Sequence, residues 1–321
     1  MNALEGYVYW WVSGERPDSD RDFEKALKER FPLKYEYATW LVKDQRERMK
    51  EAKLVTLWSE EYPPLLREIP KAPFGVFCVG DCSVLMGEMI SIVGTRRASG
   101  YGKGVARAVA RETAREFVVV SGMAYGIDSA AHEGALEAGW TVAVLASGAD
   151  VPTPKGNSSL YRRIIERGCV ISPYPLGDGA RRERFVERNS IIAGLSIATV
   201  VVEAPERSGA LTTASFAADF GRDVFAVPAD ITRKVAEGSN RLLLEGAIPL
   251  ISPIGVLEYY GKEIPKPEDT DAILTAVKDG CEDPQEIAER LGVEISEVLA
   301  RLTELEMEGK VFRDGGFYRA L

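Results

Sequence analysis

The residues best suited to chemistry fall in five short stretches. Gly94-Thr-Arg-Arg-Ala-Ser-Gly-Tyr-Gly-Lys-Gly follows an apolar run, leads into a helical pattern and carries Arg96, Arg97 and Lys103 with no acid. Glycines let a main chain approach an anion closely, and amides at a helix N-terminus point toward it. Ser121-Gly-Met-Ala-Tyr-Gly-Ile-Asp again offers small residues, at Gly122, Ala124 and Gly126. Lys155–Arg167 sets Lys155, Arg162, Arg163 and Arg167 against Glu166. Arg181, Arg184 and Arg188 recur at i, i+3 and i+7, one face of a helix. In Glu203-Ala-Pro-Glu-Arg-Ser-Gly-Ala-Leu-Thr-Thr-Ala, Ser208, Gly209 and Thr213 suit a helix N-terminal phosphate cradle. The basic stretches together fit a line of phosphates better than one small ligand, with Tyr161 and Phe185 as candidates for base stacking.

Other chemistries lose support. No Gly-Lys is followed by Ser or Thr, and Gly100, Gly102 and Gly104 alternate, so neither a nucleotide-hydrolysis loop nor a dinucleotide fingerprint is present. Asp128 and His132 could meet on one helical face, but Ser121 lacks nucleophile-elbow spacing, so packing or capping is the better reading. Glu203 is a lone carboxylate at a strand end, better suited to accepting loop amides than to catalysis. His132 is the only histidine, and Cys78, Cys82, Cys169 and Cys281 give neither metal spacing nor a disulfide framework. They read as buried thiols of a reducing compartment. No catalytic set, metal site or cofactor motif is expected.

These residues need elements to hold them. Apolar β-rich runs at Gly75–Val79, Met89–Val93, Val118–Ser121, Thr141–Ala146, Val170–Ser172, Thr199–Val202, Val224–Val227 and Pro249–Ile251 alternate with helical patterns. Those helices span Gly102–Glu116, Ile127–Ala138, Ser158–Arg167, Phe185–Leu195, Ala210–Phe220 and Asn240–Glu245. Such alternation predicts a Rossmann-like, mostly parallel α/β sheet over 75–261. Each candidate loop then follows a strand's carboxyl end, so all lie along one edge of the sheet. Residues 1–74 read as a small helical domain of sterile-alpha-motif or helix-hairpin-helix type, with helices at Arg21–Arg30, Tyr37–Lys43 and Arg46–Lys53. Its Trp10, Trp11, Trp40 and Trp58 are assigned to the core rather than to base stacking. Lys262-Glu-Ile-Pro-Lys-Pro-Glu suits a linker, 262–267, before a winged helix over 268–321 with a Gly-tipped hairpin at Asp314-Gly-Gly-Phe.

The 321 residues carry a net charge of −9 and 45% hydrophobic residues, enough for a core and against a generally basic nucleic-acid protein. The acidity is localised: residues 264–321 hold 7 Lys+Arg against 14 Asp+Glu, and the rest 33 against 35. Tyr7–Val12 is too short to span a bilayer and Glu5 is wrong for a signal peptide, so a soluble cytoplasmic protein is expected, with no membrane insertion.

Taken in order, Ile92-Val-Gly-Thr-Arg, Val120-Ser-Gly-Met-Ala-Tyr-Gly-Ile-Asp-Ser-Ala-Ala-His, Arg188-Asn-Ser-Ile-Ile-Ala-Gly-Leu-Ser, the Val202–Ala214 stretch and Gly221-Arg-Asp-Val-Phe-Ala-Val-Pro resemble the DNA-processing protein A (DprA/Smf) family. The resemblance implies an extended Rossmann-like fold and a dimeric, non-enzymatic binder of single-stranded DNA, with little sequence preference, that loads RecA recombinase during natural transformation in competent cells. It implies that Gly94, Thr95 and Arg96 hold a backbone phosphate, faced by Lys155. Arg188 and Asn189 with Ser208 and Gly209 line the neighbouring loops. Arg97, Ser121, Gly122, Asn157, Tyr161, Arg162 and Phe185 are further candidate contacts. The chain departs from the family pattern at Thr153, Pro173, Ser190 and Ala229, which changes the pocket lining more than the fold.

The expected recognition helix, Ile295–Glu308, carries Glu297, Glu304, Glu306 and Glu308 against Arg301. Such a surface repels phosphate, so protein contact, dimer support or autoinhibition is expected of the winged helix rather than duplex reading. Two rival readings make different demands. A nucleotide-cleaving enzyme related to lysine-decarboxylase-like phosphoribohydrolases would need a glutamate where Ala214 and Ser215 stand. A nucleotide-sensing scaffold would bind mononucleotides without dependence on oligomer length.

Overall fold

The structure, a computed structural model, describes residues 1–263, 271–307 and 310–320. It divides into two compact units, Met1–Lys262 and Glu263–Leu321. The first begins with α1 (Ala3–Ser13), α2 (Phe23–Arg30) and α3 (Tyr35–Arg48), then β1 (Lys53–Thr56), α4 (Pro64–Glu68), β2 (Gly75–Gly80) and β3 (Met89–Val93). Helices and strands then alternate: α5 (Gly100–Thr113), β4 (Val118–Ser121), α6 (Ile127–Ala138), β5 (Thr141–Val144), α7 (Ser158–Glu166) and β6 (Gly168–Ser172). They continue through α8 (Arg184–Leu195), β7 (Ala198–Val201), α9 (Gly209–Asp219), β8 (Asp223–Ala226), α10 (Glu237–Leu244), β9 (Ile248–Pro249) and α11 (Gly255–Tyr259).

The strands form one sheet in the order β1-β2-β6-β5-β4-β3-β7-β8-β9. Pairing from β6 to β9 is parallel, while β1 and β2 add an antiparallel edge. Every residue of β3 is buried, because its two faces feed two cores. Ile90 and Ile92 pack with Ala106, Val109 and Ala131 of α5 and α6. Met89 and Val93 pack with Ile191, Ile192 and Ala214 of α8 and α9. From β3 the chain builds β4, β5 and β6 on one side, then crosses to β7 on the other. The crevice at such a switch point is where open α/β sheets hold ligands.

Several expectations change. The first 74 residues are not purely helical: β1 pairs with β2 from Lys53↔Cys78 to Thr56↔Gly75, and α3 ends at Arg48. Nor do they stand apart from the sheet unit. Tyr7 Oη donates to the Pro173 carbonyl at 2.9 Å, and buried Gln45 donates to the Leu176 carbonyl and accepts from its amide. The tryptophans are not all core: Trp40 and Trp58 are exposed and Trp10 and Trp11 half-buried. Cys78 and Cys82, expected as free thiols, form a disulfide between the end of β2 and the 3-10 turn Cys82–Met86. A four-residue spacing does not by itself reveal the chain reversal that brings the sulfurs together. Cys169 and Cys281 are free and buried, as expected.

The second unit contains α12 (Ala272–Lys278), α13 (Pro284–Leu291), α14 (Ile295–Met307) and the hairpin β10 (Val311–Asp314) and β11 (Phe317–Ala320). Ile273, Ile287, Val298, Leu302, Leu305 and Tyr318 fill its core. This is the expected winged-helix order. Most of the expected linker, and Glu308, lie outside the described residues. Among the described residues no helix is long and apolar enough to cross a membrane.

Candidate functional site

A cleft of about 360 Å³ opens beyond the carboxyl ends of β3 and β7. The β3 loop supplies Gly94, Thr95, Arg96 and Arg97, one face of α8 supplies Phe185, Arg188 and Asn189, and the β7 loop supplies Arg207, Ser208 and Gly209. Nine of the candidates from separate stretches thus share one cavity.

The β3 loop is held by backbone and by a buried acid. Thr95 N–H donates to the Glu203 carbonyl at 2.7 Å, and Arg97 N–H donates to Thr95 Oγ1 at 3.2 Å. The fully buried Glu203 carboxylate accepts from Ser99 N–H at 2.9 Å and Ser99 Oγ at 2.6 Å, with Arg233 at 3.4 Å. Here the reading of the glycine loop needs correction. The α5 N-terminus is already served by the chain's own carboxylate and by Ser99, which caps Gly102 N–H, rather than left free for a ligand.

Across the cleft the α9 N-terminus is open. Ser208 caps Ala210 N–H, Gly209 is exposed, and Asn189 Nδ2 donates to the Gly209 carbonyl at 3.1 Å. Ala214 is buried and Ser215 Oγ donates to the Leu211 carbonyl, so the start of α9 turns no carboxylate into the cleft. Arg96, Arg97 and Arg207 are exposed and form no salt bridge among the described residues. The Arg96 guanidinium lies 4.8 Å from the centre of the half-buried Phe185 ring, and that of Arg188 5.8 Å.

Arg188 belongs to the floor rather than the rim. It is buried, donates through Nη1 to the Val144 carbonyl at 3.2 Å, and its Nε has no partner among the described residues. Gly122 is the reason it fits, since a Cβ there would land on the Arg188 guanidinium. Burial pushes the Asp128 carboxyl up while Arg188 pulls it down. The Arg188 guanidinium is held below its ordinary value by the same burial, against the attraction of Asp128.

A second cavity, about 470 Å³, adjoins Arg96 and is lined by Lys103, Arg107, Tyr125, Glu133 and Asn157. Asn157 Nδ2 donates to the Met123 carbonyl and to Ser129 Oγ, pinning the turn that carries exposed Lys155. Lys155 and exposed Arg162 line neither cavity.

Other candidates are out of reach. Ser121 is buried and donates to the Ile92 carbonyl, and Gly122 lies beneath Arg188. Tyr161 is buried with its hydroxyl on the Ala149 carbonyl, so no base can stack on it. Arg181, Arg184 and Arg188 do not form one free basic face: α8 begins at Arg184, which is buried and paired with Asp178 at 2.6 Å, while exposed Arg181 pairs with the same carboxylate at 3.6 Å. Nor do Asp128 and His132 meet. His132 Nδ1 shares a 2.7 Å hydrogen bond with Thr141 Oγ1, and burial lowers its pKa to about 3, leaving a neutral ring. Sequence reasoning passed over Arg207 and Arg233; Arg207 stood inside a stretch already singled out.

The profile described as DNA recombination-mediator protein A matches residues 53–261, and that of the DprA winged helix domain matches 261–316. Protein Smf of Escherichia coli K12 is 34% identical over 291 residues, covering 83% of this chain and 77% of that protein. The putative DNA processing protein DprA of Mycobacterium tuberculosis H37Rv is 39% identical over 248 residues, 72% of this chain; only 64% of that relative's length is spanned. The X-ray structure of DNA processing protein A from Streptococcus pneumoniae superposes with a TM-score of 0.68 at 32% identity, over 80% of this chain and 93% of that one. A structure of DNA processing protein A from Helicobacter pylori, described for its single-stranded DNA binding mode, gives 0.59 at 25% identity, over 65% and 95% of the two chains.

Proposed function

The chain belongs to the DNA recombination-mediator protein A family, and from that premise we propose that it grips single-stranded DNA by its sugar-phosphate backbone and loads a RecA-type recombinase onto it. In this reading the protein works in the cytoplasm as a homodimer and performs no chemistry on the strand. The observation that carries it is the convergence, at the sheet's switch point, of one open helix N-terminus and three exposed arginines without carboxylate partners among the described residues. Gly94, Thr95 and Arg96 would hold one phosphate, and Arg97, Arg207, Asn189, Ser208 and Gly209 the next. Lys155 and Asn157 would continue the track past Arg96, with Arg162 beyond. Arg188 would supply positive potential from below, where low dielectric strengthens it. Phe185, flanked by Arg96, is the aromatic surface within reach of a base.

A titration of the purified protein against oligothymidylates of increasing length, with duplex and mononucleotide controls, tests this. Affinity should climb with length, be weak for duplex and be absent for thymidylate. Saturable mononucleotide binding at equal affinity, or release of free base from nucleoside monophosphates, would replace this reading with a sensor or a nucleotide-cleaving enzyme.

A further inference from the structure

Helix α8 has a second lined face. Opposite the residues that wall the strand-end cleft, Glu187, Ser190 and Ile191 border a cavity of about 580 Å³ closed by Trp10, Trp11 and Tyr174. The aromatic wall is ordered: Trp11 meets Tyr174 edge-on with ring centres 6.0 Å apart, and the Arg184 guanidinium lies 5.5 Å from Trp11 and 4.4 Å from Tyr174. The two cations that line the cavity, Arg16 and Lys71, are exposed and form no salt bridge among the described residues. Between the two cavities runs the outer ridge of α8, beside Val186, an apolar side chain 52% exposed at the edge of the strand-end cleft.

We infer that this aromatic cavity is a distal base-stacking subsite for the same single strand, reached by crossing α8 from the strand-end cleft. The inference rests on the proposed function and deepens it. Charge and chemistry select the occupant. Glu187 in the wall repels a phosphate, so it is a base that enters, while Arg16 and Lys71 at the mouth attract the flanking phosphates. Half-buried tryptophans with indole surface facing a cavity are the stacking platform such a base needs. A helix is roughly 10–12 Å across with its side chains, so only a strand of several nucleotides fills both sites.

The test is an anisotropy titration of the full chain with a short and a long labelled oligothymidylate, paired with tryptophan emission. Trp11→Ala, and separately the exposed double variant Arg16→Ala/Lys71→Ala, which leaves the core intact, should each weaken the long oligomer several-fold and leave the short one unchanged. For the stacking residue the loss should be roughly five- to hundredfold. Long oligomers should quench tryptophan emission in the wild type. Arg96→Ala should weaken both lengths. If both distal variants match wild type at every length, this subsite is overturned while the proposed function stands; if the wild type binds no oligothymidylate, both fall. Quenching by a proline-rich peptide but not by oligothymidylate would also overturn it, making the cavity a peptide site.

Discussion

Arg188 and Gly122 act as one structural pair: a buried guanidinium occupies the space a side chain at position 122 would need. Gly122→Ala should therefore destabilise the fold by about 1–3 kcal/mol, the cost of overpacking, read from a denaturant midpoint, and should weaken DNA binding by displacing the cleft floor. His132 makes a pH prediction. Its native pKa, about 3, lies below the ordinary 6.5, so as pH falls the unfolded chain takes up the proton first. The contribution to stability is full above pH 6.5 and is lost toward pH 3, at about 1.4 kcal/mol per pH unit for one proton. Asp128, whose carboxyl is raised by burial, works in the opposite sense above the ordinary carboxylate range, because its native form keeps the proton longer. Wild type and His132→Gln both retain Asp128, so the His132→Gln substitution should flatten the decline between pH 6.5 and 5 in urea melts at several pH values.

Glu203 joins two elements, the β3 loop and the start of α5, through its carbonyl and its carboxylate. Glu203→Ala leaves Ser99 N–H without its acceptor and removes the carboxylate beside Arg233, whose Nη2 still donates to Ser99 Oγ at 2.8 Å. The expected loss is about 1–3 kcal/mol for an unmet buried donor, with part of it restored in Glu203→Gln. A calorimetric melt of both variants checks this. At this scale the sequence was most readable where apolar runs were long: α6 was expected and found at Ile127–Ala138. The four-residue β1 was missed because Lys53-Leu-Val-Thr directly follows a run of helix formers and is a strand only by pairing with β2. The site was readable as loops but not as tertiary pairings. The glycine loop was visible, whereas the acid serving its helix start comes from 104 residues further along the chain. The openness of the α9 start and the burial of Tyr161 likewise depend on tertiary neighbours that no local pattern encodes.

Over the whole molecule, positive charge concentrates on the strand-end rim and negative charge on the winged helix. On α14, Glu297, Glu304 and Glu306 are exposed, and Arg301 is engaged by Asp271 and Glu304. Removing residues 264–321 should leave the affinity for single-stranded DNA within about threefold of the full chain, because an acidic surface neutralises no phosphate. The claim on which the account turns is that the rim grips phosphates, and salt reports this most directly. Log affinity for a long oligothymidylate, plotted against log salt, should fall less steeply in Arg96→Ala and in Lys155→Ala than in wild type, by about 0.7 for each phosphate no longer neutralised. Slopes unchanged in both variants would contradict it.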